Sequence, residues 1–305
     1  MQLVKYFPQS GQSPRFGNTD PASVIGHVAL EIAAFQDGEW YASGSSVIIG
    51  PHLALTARHV VEDICERFHG RGYLDQVGEN QKLELSFGGR ARHRVDDVDI
   101  LWSIDKVWFY RNLDIAVYSL LPCSESARNF DWWLPVMNLQ APKIGSTVSA
   151  FGYRQSKASV RTDEPIAFVE WDSIPTSATG NVAEIHRLRR DSVMLPFPCF
   201  RINAQFDGSM SGGPVFNNRG ELCGVVCSTF PSTAEDEDHA SFVSTLWPSM
   251  GTMIESHLGT RLPLLELAKQ NIIHAIGWQQ VDVVAEHADG MDIRWRNEPN
   301  ATPTE

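Results

Sequence analysis

Short strand-like runs recur along most of the chain, and they constrain its fold more than any other feature of the sequence. The first group lies at 27–35, 45–49, 53–56, 83–87, 104–110 and 115–120. The second group lies at 147–153, 166–171, 183–190, 199–203, 213–216, 222–229 and 241–245. Runs this closely spaced predict an all-β fold. We expect two six-stranded barrels, with a linker near 122–135.

The segment Ser-Gly-Gly-Pro-Val at 211–215 is the strongest chemical signal in the sequence. Glycine carries no side chain, so the backbone after Ser211 could approach a reacting carbon closely. Clusters of Ser, Gly and Pro are also common in ordinary turns. The segment therefore leaves two interpretations open, a nucleophilic serine or a plain turn.

Two upstream segments favour the nucleophile. Thr-Ala-Arg-His at 56–59 follows an apolar strand and places His59 at the strand's end. Asp-Ile-Ala at 114–116 places Asp114 at the head of an alternating strand. Either residue alone could be structural, but together with Ser211 they supply the base, the orienting carboxylate and the nucleophile of a catalytic triad.

These three motifs, in the order His, Asp, Ser, resemble those of the chymotrypsin-like (trypsin-like) serine peptidases. The resemblance covers roughly 24–258. It implies two antiparallel Greek-key barrels with the active site in the cleft between them. It also implies that Ser211 attacks the peptide bond, that His59 transfers the proton, and that Asp114 orients His59.

The resemblance further implies that the backbone N–H groups of Ser209 and Ser211 form the oxyanion hole. Most family members have glycine at the position of Ser209, so the hole here could be collapsed at rest, or serine could adopt the required conformation. Met210 stands where digestive members have the aspartate that pairs with a newly cleaved N-terminus. Activation by N-terminal cleavage is therefore not expected.

Substrate contacts are less clear from the sequence. The family pattern implies that substrate-binding residues are Gln205, Phe206, Cys227, Ser228, Thr229 and Ser241. The stretch 227–229 would pair with the substrate backbone as an edge strand. The acidic run at 235–238 could attract basic substrates, or it could be an ordinary solvated loop.

Composition excludes several other functions. The net charge of −12 disfavours nucleic-acid binding, which requires a basic face. No apolar stretch is long enough to predict a membrane span. The five cysteines show neither a disulfide framework nor a zinc motif, and 1–22 lacks the apolar core of a signal peptide. We therefore expect a cytoplasmic bacterial protein that uses no cofactor and no metal, and that binds neither nucleic acid nor membranes.

The predicted domain organisation has three parts. An N-terminal arm covers 1–22. The peptidase domain covers 23–258, with barrels at about 23–122 and 135–246 and a closing helix at 247–258. An extension at 259–305 contains a helix with periodicity over 262–275 and a hairpin with strands at 281–286 and 291–296.

Two functions fit this sequence. The first is a serine endopeptidase that cleaves protein or peptide substrates and is regulated by a conformational switch or by a partner. The extension at 259–305 could dock such an activating partner, or it could pack on the second barrel as a structural cap. Such an enzyme could serve as an effector in a bacterial stress or defence system. The alternative is a catalytically silent binding or scaffold module on a peptidase fold, because Ser209 and Met210 depart from the family pattern.

Overall fold

The computed structural model describes residues 17–18, 24–36, 39–71, 73, 83–95, 98–110, 113–161, 168–230, 240–255, 259–287 and 290–296. Within these ranges the α-helices are Arg58–His69 (α1), Glu125–Arg128 (α2) and Leu264–Lys269 (α3). Most of the arm at 1–22 and the whole acidic run at 235–238 lie outside the described residues.

The first barrel is closed by six antiparallel strands in the order β2-β3-β4-β7-β6-β5. The strands up to this point of the chain are Gly17–Asn18 (β1), Ala29–Gln36 (β2), Glu39–Gly50 (β3), Leu53–Thr56 (β4), Leu83–Val95 (β5), Val98–Phe109 (β6) and Ala116–Pro122 (β7). The predicted number of strands is confirmed. Several strands are longer than predicted, since β5 continues through the basic segment 88–95, which lacks the apolar pattern of a strand, and β6 begins six residues earlier, at Val98.

The second sheet contains Met137–Asn138 (β8), Thr147–Arg161 (β9), Phe168–His186 (β10), Cys199–Ile202 (β11), Pro214–Asn217 (β12), Leu222–Phe230 (β13) and Ala240–Ser244 (β14). Its strands are paired in the order β12-β9-β10-β11-β14-β13, and an additional β12–β13 pairing completes the circuit. The separate strands predicted at 166–171 and 183–190 are wrong, because the described residues 168–171 and 183–186 belong to one strand, β10, and 187–190 lie in the loop after it. With these two predicted strands counted as one, the closed circuit of the second sheet has six strands. The all-β, two-barrel fold of the chymotrypsin class is thus confirmed.

The C-terminal part adds Met253–Glu255 (β15), Arg261–Pro263 (β16), Ala275–Ile276 (β17), Val281–His287 (β18) and Gly290–Trp295 (β19). The predicted closing helix at 247–258 is wrong. A 3-10 turn, Trp247–Gly251, is followed directly by β15, which pairs with β16. Proline near the start of the turn and β-branched residues after it disfavour a longer helix.

The helix and hairpin predicted for the extension are present as α3 and the β18–β19 pair. Helix α3 is shorter than its apolar periodicity suggested, because Asn271 just after its end takes a positive φ of 56°. Leu264, Val281 and Trp295 are buried in the same apolar cluster as the first barrel. The extension is therefore packed against the body of the protein. None of the described helices is long and apolar enough to cross a membrane.

Candidate active site

Strand pairing brings His59 and Asp114 together. Thr56, the last residue of β4, lies opposite Ala116, the first residue of β7, so the residues just beyond both strand ends become neighbours. Asp114 Oδ1 accepts the backbone N–H of His59 at 3.0 Å. The imidazole Nδ1 lies 2.9 Å from each oxygen of the same carboxylate.

The environment of His59 favours its protonated form. Burial alone would lower the pKa of His59, but the charge of Asp114 and its hydrogen bond outweigh burial. The pKa of His59 is therefore raised above the ordinary imidazole value. Such a histidine can accept a proton during a reaction and hold it beside the buried carboxylate.

Ser211 is fixed between the two barrels by the glycines that follow it. Gly212 has a φ of +82°, and a Cβ there would stand 2.2 Å from the backbone oxygen of Ser45 in the first barrel. A Cβ on Gly213 would stand 2.1 Å from the backbone oxygen of Phe151 in the second barrel. The carbonyl of Ser211 also accepts the N–H of Ser45 at 2.8 Å. Both glycines are thus required by the close approach of the backbone of the two barrels.

His59, Asp114 and Ser211 line one cleft of about 650 Å³. Among the described residues, no hydrogen bond joins Ser211 to His59. Catalytic hydrogen bonds of this kind are often formed only when substrate binds. The three residues predicted as a triad therefore share one cleft, with the His–Asp half already assembled.

Both predicted oxyanion donors already have acceptors within the chain. The N–H of Ser211 donates to the carbonyl of Gly208 at 3.1 Å. The N–H of Ser209 donates to Asp207 Oδ1 at 3.1 Å, and the other oxygen of Asp207 lies 3.6 Å from Arg154 Nε. Gly208–Met210 consequently forms a 3-10 turn that Asp207 caps. This conformation offers no pair of free donors to an oxyanion.

The predicted substrate-binding residues separate into two groups. Cys227 and Ser228 line the cleft, and Thr229 follows them in β13. Phe206 and Ser241 do not line it, because both are buried in the second barrel, where the N–H of Phe206 donates to Ser241 Oγ at 3.2 Å. Gln205, beside Phe206, is likewise not among the described residues of the cleft wall. The cleft in this conformation does not include these three residues, and their contact with substrate stays a prediction.

Cys227 lies in the same cleft as His59 and Asp114, and its thiol is buried. Burial, followed by the negative charge of Asp114, raises the pKa of Cys227 well above the ordinary thiol value. The thiol is consequently neutral and adds no negative charge near Asp114.

One wall of the cleft is formed by residues that the three catalytic motifs did not predict. It is the loop between β10 and β11, and it contributes Met194, Leu195, Pro196 and Phe197. Asp191 shapes this loop by accepting the backbone N–H groups of the three residues 193–195, which lowers the pKa of its carboxyl. Only the apolar composition of 193–197 could have indicated this wall from the sequence.

The fold, with a cleft that contains His59, Asp114 and Ser211, is that of the chymotrypsin-like peptidases. The chain belongs to the family described by the trypsin-like peptidase domain, whose model matches residues 44–225. A comparison with curated proteins finds no match.

A comparison with solved structures finds bacterial proteases among the similar proteins. The Rv3671c protease of M. tuberculosis in its active form is 16% identical, with 78% of this chain and 88% of that chain covered and a TM-score of 0.44. The MamO protease domain of Magnetospirillum magneticum is 14% identical, with 72% and 93% covered and a TM-score of 0.43. A serine endoprotease of Yersinia pestis is 16% identical, with 72% and 59% covered and a TM-score of 0.42. At these identities and TM-scores the likeness supports no conclusion about this chain.

Proposed function

We propose that this protein is a serine endopeptidase that cleaves protein substrates through Ser211, His59 and Asp114, and that its activity is controlled by a conformational switch beside Ser211. The observation that carries the proposal is the Asp114–His59 pair, hydrogen-bonded at 2.9 Å in the same cleft as Ser211. A buried carboxylate on Nδ1 leaves Nε2 of the imidazole to act as the base.

Catalysis would proceed through an acyl-enzyme. Ser211 Oγ attacks the carbonyl carbon of the substrate while His59 takes the hydroxyl proton. His59 then gives that proton to the leaving amine, and the amide bond breaks. Water attacks the resulting ester, with His59 again as the base, and releases the new carboxyl terminus. Asp114 stabilises the imidazolium in both steps and does not itself take a proton.

The switch would be a rearrangement of the 3-10 turn Gly208–Met210. The developing oxyanion needs the N–H groups of Ser209 and Ser211, and each such donor contributes roughly 3–4 kcal/mol to transition-state stabilisation. Both groups are engaged by Asp207 and Gly208 in the described conformation. Substrate or an activating partner at 259–305 would have to stabilise the open form of the turn. The cytoplasmic, bacterial setting and a role in stress or defence remain predictions.

The engaged oxyanion donors also favour the second candidate, a silent binding module. A fluorophosphonate probe separates the two. We expect Ser211 Oγ to displace fluoride from phosphorus and become covalently labelled, with the label located by mass spectrometry. The His59→Ala variant should lose this labelling because no base remains to take the hydroxyl proton. A wild-type protein that stays unlabelled with protein substrate also present would support the module.

Asp207 provides a direct test of the switch. We expect Asp207→Ala to raise the rate of fluorophosphonate labelling on the order of fivefold, because a side-chain cap of this kind is worth about 1 kcal/mol. Asp207→Asn is the matched control. It removes the charge that faces Arg154 but keeps an oxygen acceptor for the N–H of Ser209, so its rate should stay near that of the wild type. Equal rates for all three proteins would show that the capped turn does not limit reactivity.

A further inference from the structure

The C-terminal hairpin contacts the part of the first barrel that leads to Asp114. Tyr110 directly follows β6, and its hydroxyl donates a hydrogen bond to Asp292 Oδ1 on β19. Gly290, at the start of β19, lies against the same ring, since a Cβ there would stand 2.3 Å from Tyr110 Cε2. The hairpin therefore holds Tyr110 both through its hydroxyl and through the edge of its ring.

The hairpin is itself fixed to the body of the protein. Gly290 forms a bridge with Thr252. A Cβ on Gly251 would stand 2.2 Å from the backbone oxygen of Met291. Trp295, at the other end of β19, is buried in the main apolar cluster. Contacts at both ends of β19 make the hairpin a rigid support for Tyr110.

Tyr110 and Asp114 belong to the same short connection. Phe109 of β6 pairs with Ala116 of β7, so Tyr110 and Asp114 both lie close in sequence to one paired position of the barrel. Tyr110 also packs against a small apolar cluster made of Leu113, Leu195, Phe197, Cys199, Cys227 and Phe242. This cluster includes Leu113, which directly precedes Asp114 in the chain, and Leu195, Phe197 and Cys227 of the cleft lining. A shift of Tyr110 would therefore reach Asp114 and the cleft through this packed cluster.

We infer that Tyr110 is a positioning residue for the catalytic centre, and that the C-terminal hairpin, through Asp292 and Gly290, holds the connection that carries Asp114. The inference rests on the proposed peptidase activity. A displacement of about 1 Å in a catalytic group can cost on the order of 100-fold in rate. If one anchoring hydrogen bond is lost and the ring of Tyr110 stays packed, Asp114 should be displaced by less than about 1 Å, so the loss of rate should be smaller than 100-fold.

The test compares Tyr110→Phe, Asp292→Ala and the double variant. We expect each to lower kcat about tenfold with KM unchanged, and the double variant to lose no more than either single one, because the two groups act as a pair. His287→Gln is the matched control. His287 Nε2 lies 2.8 Å from the other oxygen of Asp292, so this variant removes that neighbour and leaves the phenol bond intact. Its kcat should match the wild type.

Two further measurements separate positioning from stability. The pKa of His59, followed by NMR of its ring protons, should fall in Tyr110→Phe and Asp292→Ala as Asp114 becomes less well held. Thermal unfolding should show midpoints close to the wild type in both. An unchanged kcat and His59 pKa in both variants would overturn the inference, and so would a loss of kcat that follows a lowered midpoint. If wild-type Ser211 never reacts with the fluorophosphonate, the proposed function fails, while the His59 titration still tests the positioning.

Discussion

Replacing Ser211 by alanine is expected to lower kcat for peptide-bond hydrolysis on the order of 10⁶-fold, which reduces cleavage to background. Alanine has no oxygen that can form the acyl-enzyme, so His59 and Asp114 would have no nucleophile to activate. Fluorescently labelled casein is a suitable general substrate, and mass spectrometry of the fragments identifies the cleaved bonds. The backbone should tolerate the change, because alanine also has a Cβ and can keep the φ of −51° and ψ of 134° of Ser211.

The control for this variant is Ser146→Ala, a serine outside the cleft whose substitution should leave hydrolysis unchanged. Both variants should give the same unfolding curve as the wild type. Casein cleavage that continues at the wild-type rate in Ser211→Ala would contradict the assignment of the nucleophile. Cleavage that is absent from the wild type as well, even with the Asp207→Ala change, would instead support the silent binding module.

Short sequence patterns predicted part of the fold. Apolar runs bounded by turn residues marked the strands of both barrels, and the helix and hairpin of the extension were visible in the same way. His59, Asp114 and Ser211 were found because their flanking residues match family motifs. The register of β4 against β7 explains why two of these residues are neighbours, since the pairing of Thr56 with Ala116 places His59 beside Asp114.

The remaining features depend on contacts between distant parts of the chain. Nothing local showed that Asp207 would cap the turn before Ser211 and occupy the N–H of Ser209. The bond from Tyr110 to Asp292 joins residues 182 positions apart, beyond the reach of any periodicity. Phe206 was placed in the substrate pocket by family pattern, but its apolar ring is buried in the core of the second barrel.

Replacing Asp114 by asparagine is expected to lower kcat on the order of 10⁴-fold while leaving the fold intact. The asparagine side chain has nearly the same shape, but its NH₂ group is a donor and would favour the tautomer of His59 with the proton on the wrong nitrogen. Hydrolysis of casein, compared with that of the wild type and of Ser211→Ala, measures the loss. Activity in Asp114→Asn should remain above that of Ser211→Ala, because the nucleophile is still present.

The pH dependence supplies a second readout for Asp114→Asn. In the wild type, the charge and hydrogen bond of Asp114 raise the pKa of His59, and the imidazole must be neutral to accept the proton of Ser211. The acidic limb of the kcat/KM profile should therefore lie above the ordinary imidazole pKa in the wild type. Removing the charge of Asp114 leaves burial, which lowers the pKa of His59, so the acidic limb should move to lower pH. An acidic limb that stays in place would mean that the group limiting activity at low pH is not the His59 imidazole.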